Sequence, residues 1–348
     1  MMYVLNKTPV RTSNNYGIND ISLDLELPKV KAFENATFEI SSDEIELNID
    51  APEGSLNSKI GLKIDENYGV TLTVPKYVKV KKPIRVTFEF DENNLSLVDN
   101  IKIVMGEDSS ARFIIEYLTE NKNIEFFHYL KQETFAKENS NVNIVIANLL
   151  NEESDSFIAI ENNLKENAKV SHILAEFGGK TKISNYYSNL ECDRAENDLK
   201  TIYLGTNNDI LDINYNIEEY GKSTKCNIEA QGAITKNAKK NFKGTINFKE
   251  GSSKSKGFEN ENCMILDENA KSKSLPMLLC HEEDVEGEHG VSSGKIDENK
   301  IFYIMTKGIS YNEAKRLIVK ANFNKIIKEI DDVKLSYYIN EMIDRVIM

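Results

Sequence analysis

The sequence predicts a mostly β protein, a parallel β-helix (solenoid) core with a C-terminal helical region. Three observations carry this expectation. Short alternating segments rich in Val, Ile, Thr, Asn and aromatic residues run from about Tyr68 to Leu279, an Asn-containing turn recurs between them, and helical periodicity takes over after Ser310.

Residues 1–65 form a polar lead-in, broken at Pro28 and Pro52, with one strand expected over Ala36 to Ile49. The core is expected over residues 66–300. Val70-Thr71-Leu72-Thr73-Val74 and Ile84-Arg85-Val86-Thr87-Phe88-Glu89-Phe90 alternate with period two, the mark of strands with one buried face. Turn segments follow such runs at Glu138-Asn139-Ser140, Glu166-Asn167-Ala168-Lys169, Lys236-Asn237-Ala238-Lys239 and Glu268-Asn269-Ala270-Lys271. Asn tolerates the left-handed backbone of a tight corner, and a small neighbour lets coils stack closely. Self-similarity at a few tens of residues suggests a solenoid. A β-sandwich would explain the alternation equally well, but it usually carries more Gly and Pro than the 17 and 6 present here. Residues 301–348 form the third region. Ser310-Tyr311-Asn312-Glu313 reads as a capping box. Ala314, Leu317, Ile318 and Ala321 follow at helical spacing, then Phe323, Ile326, Ile327 and Ile330. A second helix follows Asp331 and Asp332 with a stripe from Leu335 to Ile347. Such stripes are ordinarily intramolecular core; a docking surface for a partner is the competing reading.

Charge and cysteine spacing exclude several functions. A net charge of -13, with no basic stripe interleaved with aromatics, argues against a nucleic-acid partner. No run approaches the roughly 18 apolar residues of a membrane span, and residues 1–15 lack the apolar stretch of a signal peptide. No membrane partner and a cytoplasmic location are therefore expected. Cys192, Cys226, Cys263 and Cys280 never form C-x-x-C, which excludes a zinc ribbon or thioredoxin motif. Gly178-Gly179-Lys180-Thr181 ends like a phosphate-binding loop, but Leu174 stands where that loop needs its first Gly, so the chain is not expected to hydrolyse ATP itself.

The densest chemical cluster is Cys280-His281-Glu282-Glu283-Asp284-Val285-Glu286-Gly287-Glu288-His289-Gly290, where two of four histidines lie near a thiol and several carboxylates. Thiolate and imidazole ligands suit iron or zinc, although the spacing matches no zinc-protease motif and acidic runs are ordinarily solvated faces.

Several segments around this cluster carry a resemblance. Asn260-Glu261-Asn262-Cys263-Met264-Ile265-Leu266, Leu275-Pro276-Met277-Leu278-Leu279, Glu283 through Gly290, and Ile301-Phe302-Tyr303-Ile304-Met305-Thr306-Lys307-Gly308-Ile309-Ser310 resemble, in order and spacing, the C-terminal signature of the SufB/SufD family of iron–sulfur cluster assembly scaffolds. Weaker likeness extends back to Pro75-Lys76-Tyr77-Val78-Lys79-Val80-Lys81-Lys82-Pro83-Ile84.

The resemblance implies a right-handed parallel β-helix and a helical region that docks SufC, an ABC-type ATPase. It implies pairing with SufB or a second SufD-like chain through the solenoid ends, where a transient iron–sulfur cluster forms from iron and from sulfur supplied indirectly by a cysteine desulfurase. His289 matches the SufD histidine and is the first assembly-interface residue and tentative metal ligand. Cys280, Cys263, Glu288 and Glu261 are further interface candidates, and Gly308, Ile309, Ala314, Leu317 and Ile318 match the ATPase-docking segment. The pattern departs from SufB: Glu261 stands at the SufB cluster cysteine and Gly290 at the SufB Glu after the shared His, while Gly287 replaces a cysteine common in SufD. The chain also lacks most of the N-terminal helical region of longer relatives. A short SufD-like subunit, not itself an enzyme, is the expected function. The alternatives are a homodimeric minimal scaffold holding the cluster with Cys263, Cys280 and His289, and, from another class, a β-helix carbohydrate-active enzyme. Absence of Trp and of an export signal weighs against the latter.

Overall fold

The computed structural model describes residues 1–348 except 51, 53, 120, 122 and 348, and the side chain of residue 14. Two nine-stranded sheets face each other, and the chain alternates between them strand by strand. Eight strands of each sheet pair in parallel, which makes eight coils. Asp155 pairs with Thr181 and Lys239 with Lys271, so one coil takes 26 to 32 residues. The expected lead-in strand is two strands, Ala36–Glu39 and Glu46–Asp50. They pair antiparallel with Ile84–Phe90 and Tyr68–Val74, the first coil, and so close that end of the stack.

The corners follow the predicted chemistry in two of the four turns. Asn139 and Asn167 adopt positive φ, as does Asn207, but in the third turn Lys236 rather than Asn237 takes that conformation, and Asn269 does not take it. The small neighbours Ser140, Ala168 and Ala238 are fully buried, as close stacking requires. Asn167 donates to Asn139 Oδ1 at 3.0 Å and Arg194 Nε donates to Asn167 Oδ1 at 2.7 Å, so one corner carries the next.

Both outer faces of the solenoid are covered. Leu5, Leu23, Leu56 and Ile64 of the N-terminal segment pack on Val98, Tyr129, Phe157 and Ile183 of one sheet. Asn6 fixes that segment. Its Nδ2 donates to the carbonyls of Ser184 (3.1 Å) and Asp212 (2.9 Å), its Oδ1 accepts from Asn185, and its carbonyl accepts from Lys243 Nζ at 2.8 Å.

Three helices cover the other sheet: α1 (Glu298–Met305), α2 (Tyr311–Glu329) and α3 (Val333–Val346). Ser310 caps α2 by accepting from Glu313 N, and Asp332 caps α3 by accepting from Leu335 N. Ala314, Val319, Phe323, Ile326, Ile327 and Ile330 bury against Ile173, Ile202, Ala233 and Leu266 of the sheet. The apolar stripes are thus mainly intramolecular core. Helix α2 runs along the stack: Lys315 Nζ reaches Leu266 O in the seventh coil, Asn322 and Lys325 reach Gln231 and Glu229 in the sixth, and Asp332, just past its end, pairs with Arg85 in the first. Nineteen residues at about 1.5 Å each span ~28 Å, close to six strand spacings of about 4.8 Å.

Asn6→Ala removes the four hydrogen bonds made by its side chain and places a Cβ-bearing residue without a polar group at φ 53. It is expected to lower unfolding free energy by about 2–3 kcal/mol, measured by denaturant titration, while leaving the β-rich circular dichroism spectrum unchanged.

Candidate functional site

A parallel ladder needs a neighbour on each side, and the final coil has a neighbour on one side alone. Strand Glu286–Lys295 ends one sheet and Lys271–Cys280 ends the other. Every residue of Glu286–Lys295 is exposed. Side-chain alternation sets its two faces. Gly287 lies against Phe248 and Leu278, and Ser293 Oγ lies 2.8 Å from Ser272 Oγ across the lumen, so Gly287, His289, Val291 and Ser293 face inward. His289 is therefore at the open mouth of the solenoid, and Glu288 is on the outer surface.

One coil below, Glu259, Glu261 and Cys263 face inward from strand Lys256–Ile265 and are 3%, 0% and 3% exposed. Glu261 is fully engaged. It accepts from Tyr203 OH at 2.5 Å, from Lys240 Nζ at 2.8 Å and from Ser274 Oγ at 3.0 Å. This expected assembly-interface residue is thus a buried ion-pair member within the chain. Cys263 lies beside it, near Tyr203 and Ser272, its thiol pushed up by burial.

Glu259 differs. It is the register partner of His289 in the parallel ladder, and neither of its carboxyl oxygens has a hydrogen-bond partner. The carboxyl group reaches across the lumen to Gly244, where any Cβ would fall 1.9 Å from Oε1. Burial, and then the charge of Glu261, push its pKa up to about 8. Glu259 was not singled out in the sequence; two acids at i and i+2 of a strand share one face, which was the available signal.

The other candidates separate along the strands. Cys263 pairs in register with Ser293, and Cys280 with Phe248. Each is four residues from the level of His289, which faces Pro276, so ~13 Å lies along the strand direction in either sense at ~3.3 Å per residue. Cys280 is exposed and Cys263 and Cys226 are buried. Among the described residues no three His, Cys, Asp or Glu side chains converge to hold a metal ion, so Cys263, Cys280 and His289 are not one ligand set within a chain. His172 is a buried structural residue, its pKa lowered to about 3 by burial. Gly178-Gly179 forms a corner leading into a strand, in keeping with the absence of a phosphate loop.

The expected docking segment divides. Ala314 is fully buried in the cluster between helix and sheet. Ile309 and Ile318 are half-buried, and Leu317 and Gly308 are exposed. Beside them, α1 presents Phe302 and Tyr303 at 70% and 65% exposure. These two aromatics lie inside the quoted signature but were not singled out, because α1 itself was not predicted.

The family of SUF-system FeS cluster assembly proteins described by the SufBD core domain matches residues 88–322, about two thirds of the chain. The iron-sulfur cluster assembly protein SufD of Bacillus subtilis (strain 168) is 25% identical over 285 residues, covering 78% of this chain and 65% of the relative. An iron-sulfur cluster assembly SufBD family protein of Pyrococcus horikoshii is 24% identical over 268 residues, with 76% and 59% covered. The B. subtilis SufB is 20% identical over 262 residues, with 75% and 56% covered. The chain thus matches about two thirds or less of the length of these relatives, and it belongs to the SufBD core-domain family. No helix among the described residues is long and apolar enough to cross a membrane.

The raised pKa of Glu259 has a signed consequence for stability. Below pH ~4.5 the carboxyl is protonated in folded and unfolded chains alike; between there and about 8 only the unfolded chain ionises, so stability falls as pH rises. Glu259→Gln is expected to match wild type near pH 4 and to exceed it by roughly 4 kcal/mol at pH 8, read from denaturant midpoints in chelator-treated protein. An equal gain at both pH values would contradict the assignment.

Proposed function

We propose that this member of the SufBD core-domain family is a SufD-like scaffold subunit of a SUF cluster-assembly complex. In this reading it pairs with SufB or a like chain through its open solenoid end and docks a SufC-type ATPase through the α1–α2 region. The observation that carries the reading is the terminal strand Glu286–Lys295: an unpaired parallel edge, exposed throughout, with His289 at its lumen mouth. An exposed edge invites another strand, and a symmetric or pseudosymmetric partner would bury it. His289 then faces groups of the partner, which supplies the thiolates that this chain does not gather. The B. subtilis SufD is more similar to this chain than the B. subtilis SufB is, and Glu261 stands engaged with Lys240 where a SufB cluster cysteine would be; both favour the SufD-like role over a self-sufficient SufB.

The work of such a subunit is organisation rather than bond chemistry. Phe302, Tyr303 and Leu317 offer an apolar anchor beside the N-terminus of α2. Because α2 is fastened along the stack from the seventh coil to the first, a push on that anchor is delivered to the coils next to the open end and not absorbed in a loop. Nucleotide-driven movement of the ATPase would in this way bias the pairing of solenoid ends, a coupling of the usual allosteric kind. Iron and sulfide are cargo in this scheme, and the setting is cytoplasmic.

Anaerobic co-expression with SufC-type and SufB-type partners from one genome tests it. A three-component complex is expected. Phe302→Asp should remove the ATPase and keep the SufB-type chain, and His289→Ala should keep both partners while lowering iron and sulfide recovered per complex at least about tenfold. An iron-bearing homodimer would favour the minimal-scaffold alternative, and failure to retain the ATPase in wild type would overturn both readings.

A further inference from the structure

Glu259 carries an observation that the scaffold reading does not use. A carboxyl group 3% exposed, with both oxygens unpartnered, sits one strand beneath the last coil. Buried polar groups almost always find partners, and leaving one without any costs on the order of 1–3 kcal/mol. The surroundings are shaped to hold it. Gly244 leaves the space that the carboxyl fills, and Pro276, the register partner of Gly244, lines the wall of the final coil. The neighbouring acid, Glu261, is already satisfied by Lys240, Tyr203 and Ser274, so nothing in that network reaches back to Glu259. What stands next to it, in register on the adjacent strand and on the same inward face, is His289.

We propose that Glu259 and His289 form a half-site for a divalent first-row metal ion of the iron(II) class at the mouth of the solenoid. One carboxylate oxygen and one imidazole nitrogen come from this chain, and the remaining positions are filled by water or by groups of the pairing chain. Adjacent parallel strands lie about 4.8 Å apart, a separation that two inward side chains of these lengths span with one ion between them. A carboxylate–imidazole pair suits iron(II), cobalt(II), manganese(II) or zinc(II) and not copper(I), which needs the sulfur ligands that lie about 13 Å away in this chain. The ion takes the place of the carboxyl proton, which leaves to solvent, and supplies the positive charge that the ionised carboxylate needs there. Lys240 cannot, because it is committed to Glu261. The inference rests on the open end being the assembly edge, and it adds that the edge receives metal before or during pairing through a ligand buried one coil inside it.

Cobalt(II) titration of the full, chelator-stripped chain under anaerobic conditions tests this, read by visible d–d absorption and by equilibrium dialysis. One cobalt(II) per chain is expected. Glu259→Gln and His289→Ala should each weaken binding at least about tenfold, and Glu288→Gln, on the outer face, should leave it unchanged. Glu259→Gln is isosteric, and its thermal melt checks that it is folded. Cobalt(II) binding that is the same in Glu259→Gln as in wild type, or no binding by wild type, would overturn the half-site. Retention of the ATPase partner by Glu259→Gln is scored separately: a chain that keeps the ATPase without Glu259-dependent cobalt loses this inference and keeps its place as a scaffold.

Discussion

The rest of this molecule depends on the parallel backbone ladder and on the fact that a ladder must end. Within the stack each strand satisfies its neighbours' N–H and C=O groups on both sides, and the lumen of each coil is roofed by the next. At the first coil the chain solves the end problem with its own antiparallel strands, Ala36–Glu39 and Glu46–Asp50. At the eighth it does not. Glu286–Lys295 and Lys271–Cys280 are left as edges, and the strand that carries His289 is exposed from end to end. Charge and glycine along it, in Glu286, Gly287, Glu288, Gly290 and Gly294, discourage indiscriminate pairing while leaving the edge open to a specific partner.

Much of this arrangement was legible in the sequence. Period-two runs gave the strands, the Asn corners gave the coil, and the Ser310 cap gave the start of α2, because each of those features is decided locally by backbone sterics or a single hydrogen bond. The faces were less legible. In Lys256-Gly257-Phe258-Glu259-Asn260-Glu261-Asn262-Cys263 the set that points inward is Gly257, Glu259, Glu261 and Cys263, the more polar set on a strand whose outer face includes Phe258. Alternation tells which residues share a face; it does not tell which face is inside when the lumen itself is polar. That is why Glu261 reads from sequence as an edge residue although it is buried against Lys240, and why Glu259 attracted no attention. The same limit applies to Ala314, whose burial is set by the sheet 50 or so residues upstream and not by the helix that bears it.

Helix α2 turns a stack of locally defined coils into one body. Repeat architectures hold each unit mainly through its neighbours, so a disturbance at one end decays along the stack unless something bridges several units. The bridge here is a capped helix whose apolar face buries on the sheet while Lys315, Asn322 and Lys325 tie its length to the seventh and sixth coils, and the Arg85–Asp332 pair ties its far end to the first. Its beginning, next to exposed Phe302, Tyr303 and Leu317, lies over the same coils that supply the polar lumen. Any protein gripping those side chains therefore acts on the solenoid end through a rigid lever.

The interior near that end is costly by the ordinary measures of stability. Replacing an ion pair such as Lys240–Glu261 by apolar residues of similar volume is often neutral or stabilising, yet polar groups recur along the interior: Asp99 and His128 lie 3.3 Å apart beside Phe90 and Tyr117, and Glu176 accepts from Ser184 and Tyr215 farther along. The last coils add a lysine, two glutamates and a thiol, and two glycines make room there: Gly232, where a Cβ would strike the Tyr203 ring, and Gly244, where it would strike Glu259. Packing alone would favour a side chain at both positions. At both positions contact area gives way to a polar side chain, Tyr203 or Glu259, so the lumen beneath the open end is arranged around its polar groups as well as its apolar packing.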